Sequence, residues 1–106
     1  MRYMATRTKP IDRRLVAAAS EVIKTLGHPL RLRILEALED GEMSVRELTE
    51  TLGAEQAIVS QQLIKMRGRR ILDCRRSGVN VFYSIRNPHV IKVLDCIRNC
   101  TLEDFR

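Results

Sequence analysis

The chain has 106 residues, enough for one hydrophobic core and too few for two. Nineteen Lys and Arg against thirteen Asp and Glu leave a formal charge of +6, an excess that favours a polyanion, nucleic acid first, as the partner. No run approaches the roughly 18 apolar residues that span a bilayer, and MRYMATRTKP lacks the apolar stretch of a signal peptide, so a cytoplasmic protein without a membrane partner is expected.

Residues 1–10 carry Arg2, Arg7 and Lys9 with little apolar pattern and close at Pro10, which predicts a flexible basic arm ahead of one folded domain, 11–106. From 11 or 12 to 26, Leu15, Ala18 or Ala19, Val22, Ile23 and Leu26 recur at helical spacing until Gly27 ends the pattern. In HPLRLRILEALEDG, Pro29 suits a first helical position and Gly41 lies just past the end, while Leu30, Ile34, Leu35 and Leu38 form the buried stripe. His28 has no partner at ligand spacing nearby and is expected as a cap or turn residue. Glu42, Met43 and Ser44 make a short extended link. Two amphipathic helices then flank Gly53-Ala54: Val45, Leu48 and Leu52 share one face, and Ile58 or Val59, Leu63 and Met66 share the other. ILDCRR and VNVFYSI are β-prone, and Ser77-Gly78 between them has turn chemistry, so a hairpin with Arg75 and Arg76 near its tip is predicted. Asn87 as N-cap and Pro88 at the first position start a last helix, through HVIKVLDCIRNC to about Thr101.

Helix, helix, helix, recognition helix, hairpin, helix is the order of a winged helix-turn-helix, mainly α with a small β-hairpin wing. The apolar stripes of 12–26 and 88–101 exceed what one small domain buries alone, which predicts a homodimer built on the N- and C-terminal helices. The outward face of the predicted recognition helix carries Gln56, Ala57, Ser60 and Gln61, small groups and amides that can enter a groove and hydrogen-bond base edges. Gln56 and Gln61 are the candidates for base reading, with Ser60 and Ala57 allowing close approach. Lys65, Arg67, Arg75 and Arg76 are the candidates for phosphate contacts. Two such helices related by a two-fold axis would enter successive major grooves of double-stranded DNA about 34 Å apart, so the operator is expected to be an imperfect inverted repeat. A solvated basic face is the competing reading of the arginines. An enzyme is not expected: the cysteines of the last helix are spaced C-x₃-C rather than C-x-x-C, and no nucleophile, base and orienting group fall together.

The segments LGHPLRLRILEAL, MSVRELTETLG, AIVSQQLIKMR, RRSG and VFYSI resemble the ArsR/SmtB family of small dimeric bacterial repressors over roughly residues 26–100. The resemblance implies operator binding as a dimer and release when an inducer, often a thiophilic metal, engages the protein. The chain departs from the family pattern at Glu55, where a Ser N-cap is usual, and at Gln62, where His is common. The family's thiolate site, Glu-Leu-Cys-Val-Cys-Asp-Leu, corresponds here to EMSVREL, with Ser44 and Arg46 at the two cysteine positions, so that site is absent. Its C-terminal site, Asp-x-His followed after ten residues by His-x-x-Glu, corresponds to Asn87, His89, Cys100 and Glu103.

Three cysteines, an odd number, argue against a disulfide framework. Positions eleven apart on one helix differ by about 20° in direction but by about 16 Å along the axis, so His89 and Cys100 of one chain could not share a metal. Across an antiparallel partner helix they could face one another, with Cys96 near its own symmetry mate. Three readings stand open. One is a Zn- or Cu(I)-type site from His89, Cys100 and Glu103. Another is thiol chemistry at Cys96 and Cys100. The third is an inducer-free regulator whose cysteines, with Val90, Val93, Leu94 and Ile97, only fill the dimer interface. Relatives that sense reactive sulfur resemble this chain in having a cysteine at the Cys100 position, but pair it with one on the helix where this chain has Glu36. Cys74 is assigned no role.

Overall fold

The computed structural model describes residues 8–106. Five helices and three short strands follow in the order α1 (Arg13–Leu26), α2 (Pro29–Leu38), β1 (Met43–Ser44), α3 (Val45–Leu52), α4 (Gln56–Gly68), β2 (Leu72–Ser77), β3 (Asn80–Ile85) and α5 (His89–Arg98), closed by a 3₁₀ turn, Leu102–Phe105. Most of the expected basic arm, 1–7, lies outside the described residues; Thr8 to Pro10 have no regular structure.

The helix starts are built as the side chains dictate. The Asp12 carboxylate accepts from Arg14 N at 2.7 Å, and Nδ1 of His28 accepts from Leu30 N at 3.2 Å ahead of Pro29, so His28 is indeed a cap. Ser44 and Glu47 exchange hydrogen bonds in a capping box, 3.0 and 2.8 Å, that fixes where α3 begins. Gly53 closes α3 in the left-handed region at φ 62°, and this tight corner sets α4 across α3. Glu55, at the start of α4, makes no side-chain cap bond.

The link expected at 42–44 is a strand: Met43 and Ser44 pair antiparallel with Tyr83 and Phe82, giving a three-stranded sheet in the order β1-β3-β2. In the hairpin Ser77 pairs with Asn80, so the turn residues are Gly78 and Val79 rather than Ser77 and Gly78. Gly78, at φ 63°, supplies the positive φ that the two-residue turn requires.

One core joins all these elements. Ile34, Leu35 and Leu38 of α2, Leu48 of α3, and Val59, Leu63 and Met66 of α4 close over Ile71, Leu72 and Tyr83, with Val90 and Leu94 of α5 at its edge. Two expectations change here. First, α5 ends at Arg98, three residues before Thr101. Thr101 is extended and its N–H donates to Asp104 Oδ2 at 2.8 Å, a local cap that starts the 3₁₀ turn and competes with continuation of the helix. Cys100 and Glu103 therefore lie beyond α5, off the stripe that carries His89. Second, the four apolar residues expected at the dimer interface divide: Val90 and Leu94 are core, and only Val93 and Ile97 face outward.

The N-terminal helix is the opposite of a core helix. Of its fourteen residues only Thr25 and Leu26 are buried, while Leu15, Val16 and Ile23 are exposed. The protomer is accordingly long, 56 × 33 × 21 Å, with a Cα radius of gyration of 16.2 Å, against about 13 Å for a compact domain of this length.

Candidate nucleic-acid interface

In α4, Val59, Leu63 and Met66 face the core, and Ile58, the other candidate for that stripe, points out. This leaves Gln56, Ala57 and Gln61 exposed along the outer face and Ser60 half-buried at its edge. Lys65 and Arg67 continue the same face toward its C-terminal end, and neither side chain has a hydrogen-bond or ion-pair partner among the described residues.

Gln62 is not on this face. It is buried, and its Oε1 accepts from Arg31 Nε at 2.7 Å, while Arg31 Nη1 donates to the Thr25 carbonyl at 2.9 Å. The amide that departs from the family's histidine thus joins the recognition helix to α2 and to the last turn of α1. A second tether runs from Arg69 to Glu21 at 3.1 Å, at the other end of α4. Sequence reasoning placed neither, although the spacing of Gln62 from Val59 and Met66, i+3 and i−4, already sets it beside the buried stripe.

The two wing arginines have different surroundings. Arg75 is held by both oxygens of Glu42 and stacks on Phe82, its guanidinium carbon 4.7 Å from the ring centroid. The hydrogen bond from Arg75 keeps the Glu42 carboxyl below its ordinary range, and the same contact raises Arg75. Arg76, one residue on, is exposed and has no partner among the described residues. Arg70 adds a further cation at the corner between α4 and β2, in the left-handed region at φ 62°.

The C-terminal candidates do not gather within one protomer. Asn87 Oδ1 accepts from His89 N at 3.0 Å and is engaged as a cap. Among the described residues no three His, Cys, Asp or Glu are placed to hold a metal. The Cys100 thiol donates to the Cys96 carbonyl at 3.3 Å. Partial burial first, then the neighbouring Cys96 and Asp104, push the Cys100 thiol up and so disfavour its thiolate. Cys96 is exposed, and Cys74 is half-buried opposite Tyr83 in the sheet.

A helix pair with an exposed amide-bearing second helix, followed by a basic hairpin, is a winged helix-turn-helix, the architecture of a DNA-binding transcriptional regulator. The model of the arsR family of bacterial regulatory proteins matches residues 28–73. The HTH-type transcriptional regulator KmtR of Mycobacterium tuberculosis is 37% identical over 98 residues, 92% of this chain and 75% of KmtR. The chain belongs to the ArsR family. Its fold is similar to that of the antimony-specific transcriptional repressor AntR, with a TM-score of 0.78 and 31% identity over 87% of this chain and 84% of AntR. It is also similar to the homodimeric winged helix-turn-helix DNA-binding domain of Mb0332 from Mycobacterium bovis, with a TM-score of 0.71 and 26% identity over 90% and 87% of the two chains. No helix among the described residues is long and apolar enough to cross a membrane.

Proposed function

We propose that the chain is a cytoplasmic repressor rather than an enzyme, which binds an inverted-repeat operator as a homodimer through α4 and the β2-β3 wing. The observation that carries this reading is the division of α4 into a core face and an exposed face of Gln56, Ala57 and Gln61, continued by Lys65 and Arg67, which have no side-chain partner among the described residues. Gln56 and Gln61 read base edges in the major groove, with Ala57 and Ser60 leaving room for close approach. Lys65, Arg67 and Arg76 neutralise phosphates, and Arg75 contributes less because Glu42 already balances it. Association as a homodimer is supported by the exposed apolar faces of α1 and α5 and by the homodimeric Mb0332 domain.

Band-shift titrations on an operator selected from random duplexes test this assignment. Gln61→Ala should change which operators are preferred, whereas Arg76→Ala should weaken all duplexes alike and reduce the salt slope by about one unit. Equal losses on every sequence for both variants would refute it.

A second reading concerns the inducer, and the position of the half-buried Cys100 just past the end of α5, its thiol 3.3 Å from the carbonyl of the exposed Cys96, favours it. Release follows chemistry at these thiols, in which an added oxidant takes two electrons and two protons as two sulfurs join. The rival is a metal shared by His89 of one protomer with Cys100 and Glu103 of the other. DNA affinity measured with zinc, copper(I), an oxidant and a persulfide donor separates them: Cys96→Ser abolishes a dithiol response and spares the metal response, and His89→Ala does the reverse. If a Cys96→Ser, Cys100→Ser double variant behaves like the parent under all four, the cysteines are packing residues of an inducer-free regulator.

A further inference from the structure

Ile64 lies on the exposed side of α4, one turn beyond Ser60 and Gln61, with 64% of its surface in water. Neither burial nor helix propensity accounts for a large β-branched residue there, since Ala, Lys or Glu would form helix better and Ile64 packs into no part of the core. At 100° per residue its angular neighbours among the residues assigned to DNA under the proposed function are Ala57, about 20° away, Ser60, about 40° away, and Gln61, about 60° away. On the major-groove edge the chief apolar feature is the thymine 5-methyl group. We propose that Ile64 reads a thymine methyl in each half-site, so that the operator carries an A·T pair of fixed orientation at the position Ile64 faces. The amides specify by hydrogen bonds, and Ile64 adds an apolar contact that cytosine and the purines do not offer.

The inference rests on the reading of α4 as the recognition helix, and the test keeps the two apart. A duplex is first selected from a random pool with the purified full chain. Each thymine is then replaced singly by deoxyuridine, which removes one methyl and leaves pairing unchanged. One thymine per half-site should weaken binding about four-fold on replacement, the factor for one buried methyl. Ile64→Ala should bind the thymine and deoxyuridine duplexes at that position equally, Ile64→Val should keep part of the difference, and sensitivity at other thymines should be untouched. The inference is overturned if no thymine in the duplex responds, if Ile64→Ala keeps the full difference, or if Ile64→Ala alters the sedimentation of the free protein, which would place the side chain in a protein contact. If the pool yields no preferred sequence at all, it is the recognition-helix reading that fails.

Discussion

Glu42 stands just before β1, where its carboxylate reaches across β3 to Arg75, and this pair sets how much positive charge the wing presents. Both partners are exposed, so the pair adds little to stability; its effect is on charge available to a phosphate. Glu42→Gln should therefore strengthen binding to unrelated duplexes and steepen the dependence of log affinity on log salt by about one unit, measured by fluorescence anisotropy at several salt concentrations. The pH dependence follows from the sign of the shift. A carboxyl held below its ordinary range keeps the pair at every pH above that range and loses it only as pH falls through the lowered value. Between pH 6 and 8, then, wild-type non-specific affinity should not vary through this group. Nothing in the sequence joined Glu42 to Arg75, because the strand that brings them together, two residues long, is too short to leave a period of its own.

At the level of elements the two helices of the central pair are started differently, and the difference is measurable. Ser44 and Glu47 satisfy backbone donors of α3 reciprocally, whereas Glu55 satisfies none at α4. Ser44→Ala should cost about 1 kcal/mol and Glu55→Ser should gain about 0.5 kcal/mol, each seen as a shift of the urea midpoint at constant slope. The stripes that built α2, α3 and α4 were legible because an amphipathic period of 3.6 survives in any window of two or three turns. What escaped was set by single partners distant in sequence or by a local cap. The end of α5 moved because Asp104 caps Thr101. Gln62 sat at the rim of a stripe, where spacing alone leaves burial undecided, and the partner that made its burial affordable, Arg31, lies thirty-one positions earlier. For the exposed side of α4 the legibility was greater, since residues well off the core stripe of a short surface helix are exposed by default, whereas an apolar residue outside a stripe, such as Ile64, gives no periodic signal.

For the whole molecule, the neighbours Val93 and Leu94 separate assembly from folding. Val93 is 38% exposed and Leu94 only 6%. Val93→Asp should leave the far-UV spectrum of the protomer intact, yield monomers at micromolar concentration in sedimentation velocity, and lower operator affinity at least ten-fold by removing the second half of the contact. Leu94→Asp should instead unfold the protomer, because it buries an unpaired charge. A dimer that survived Val93→Asp unchanged would shift the interface away from α5. The tethers of α4 carry a consequence for the geometry of the operator. Gln62 through Arg31 to Thr25 holds the middle of α4, and Arg69 to Glu21 holds its far end, both against the last turns of the helix assigned to assembly. Two reading heads fixed in this way to a common beam act as a pair of dividers with a set opening. One base pair inserted at the centre of the operator would turn the distant half-site by about 34–36° and carry it about 3.4 Å further along the duplex, beyond the reach of the second head. Such an insertion should lower affinity nearly to that of unrelated DNA, whereas exchanging the central base pairs at constant length should change it far less.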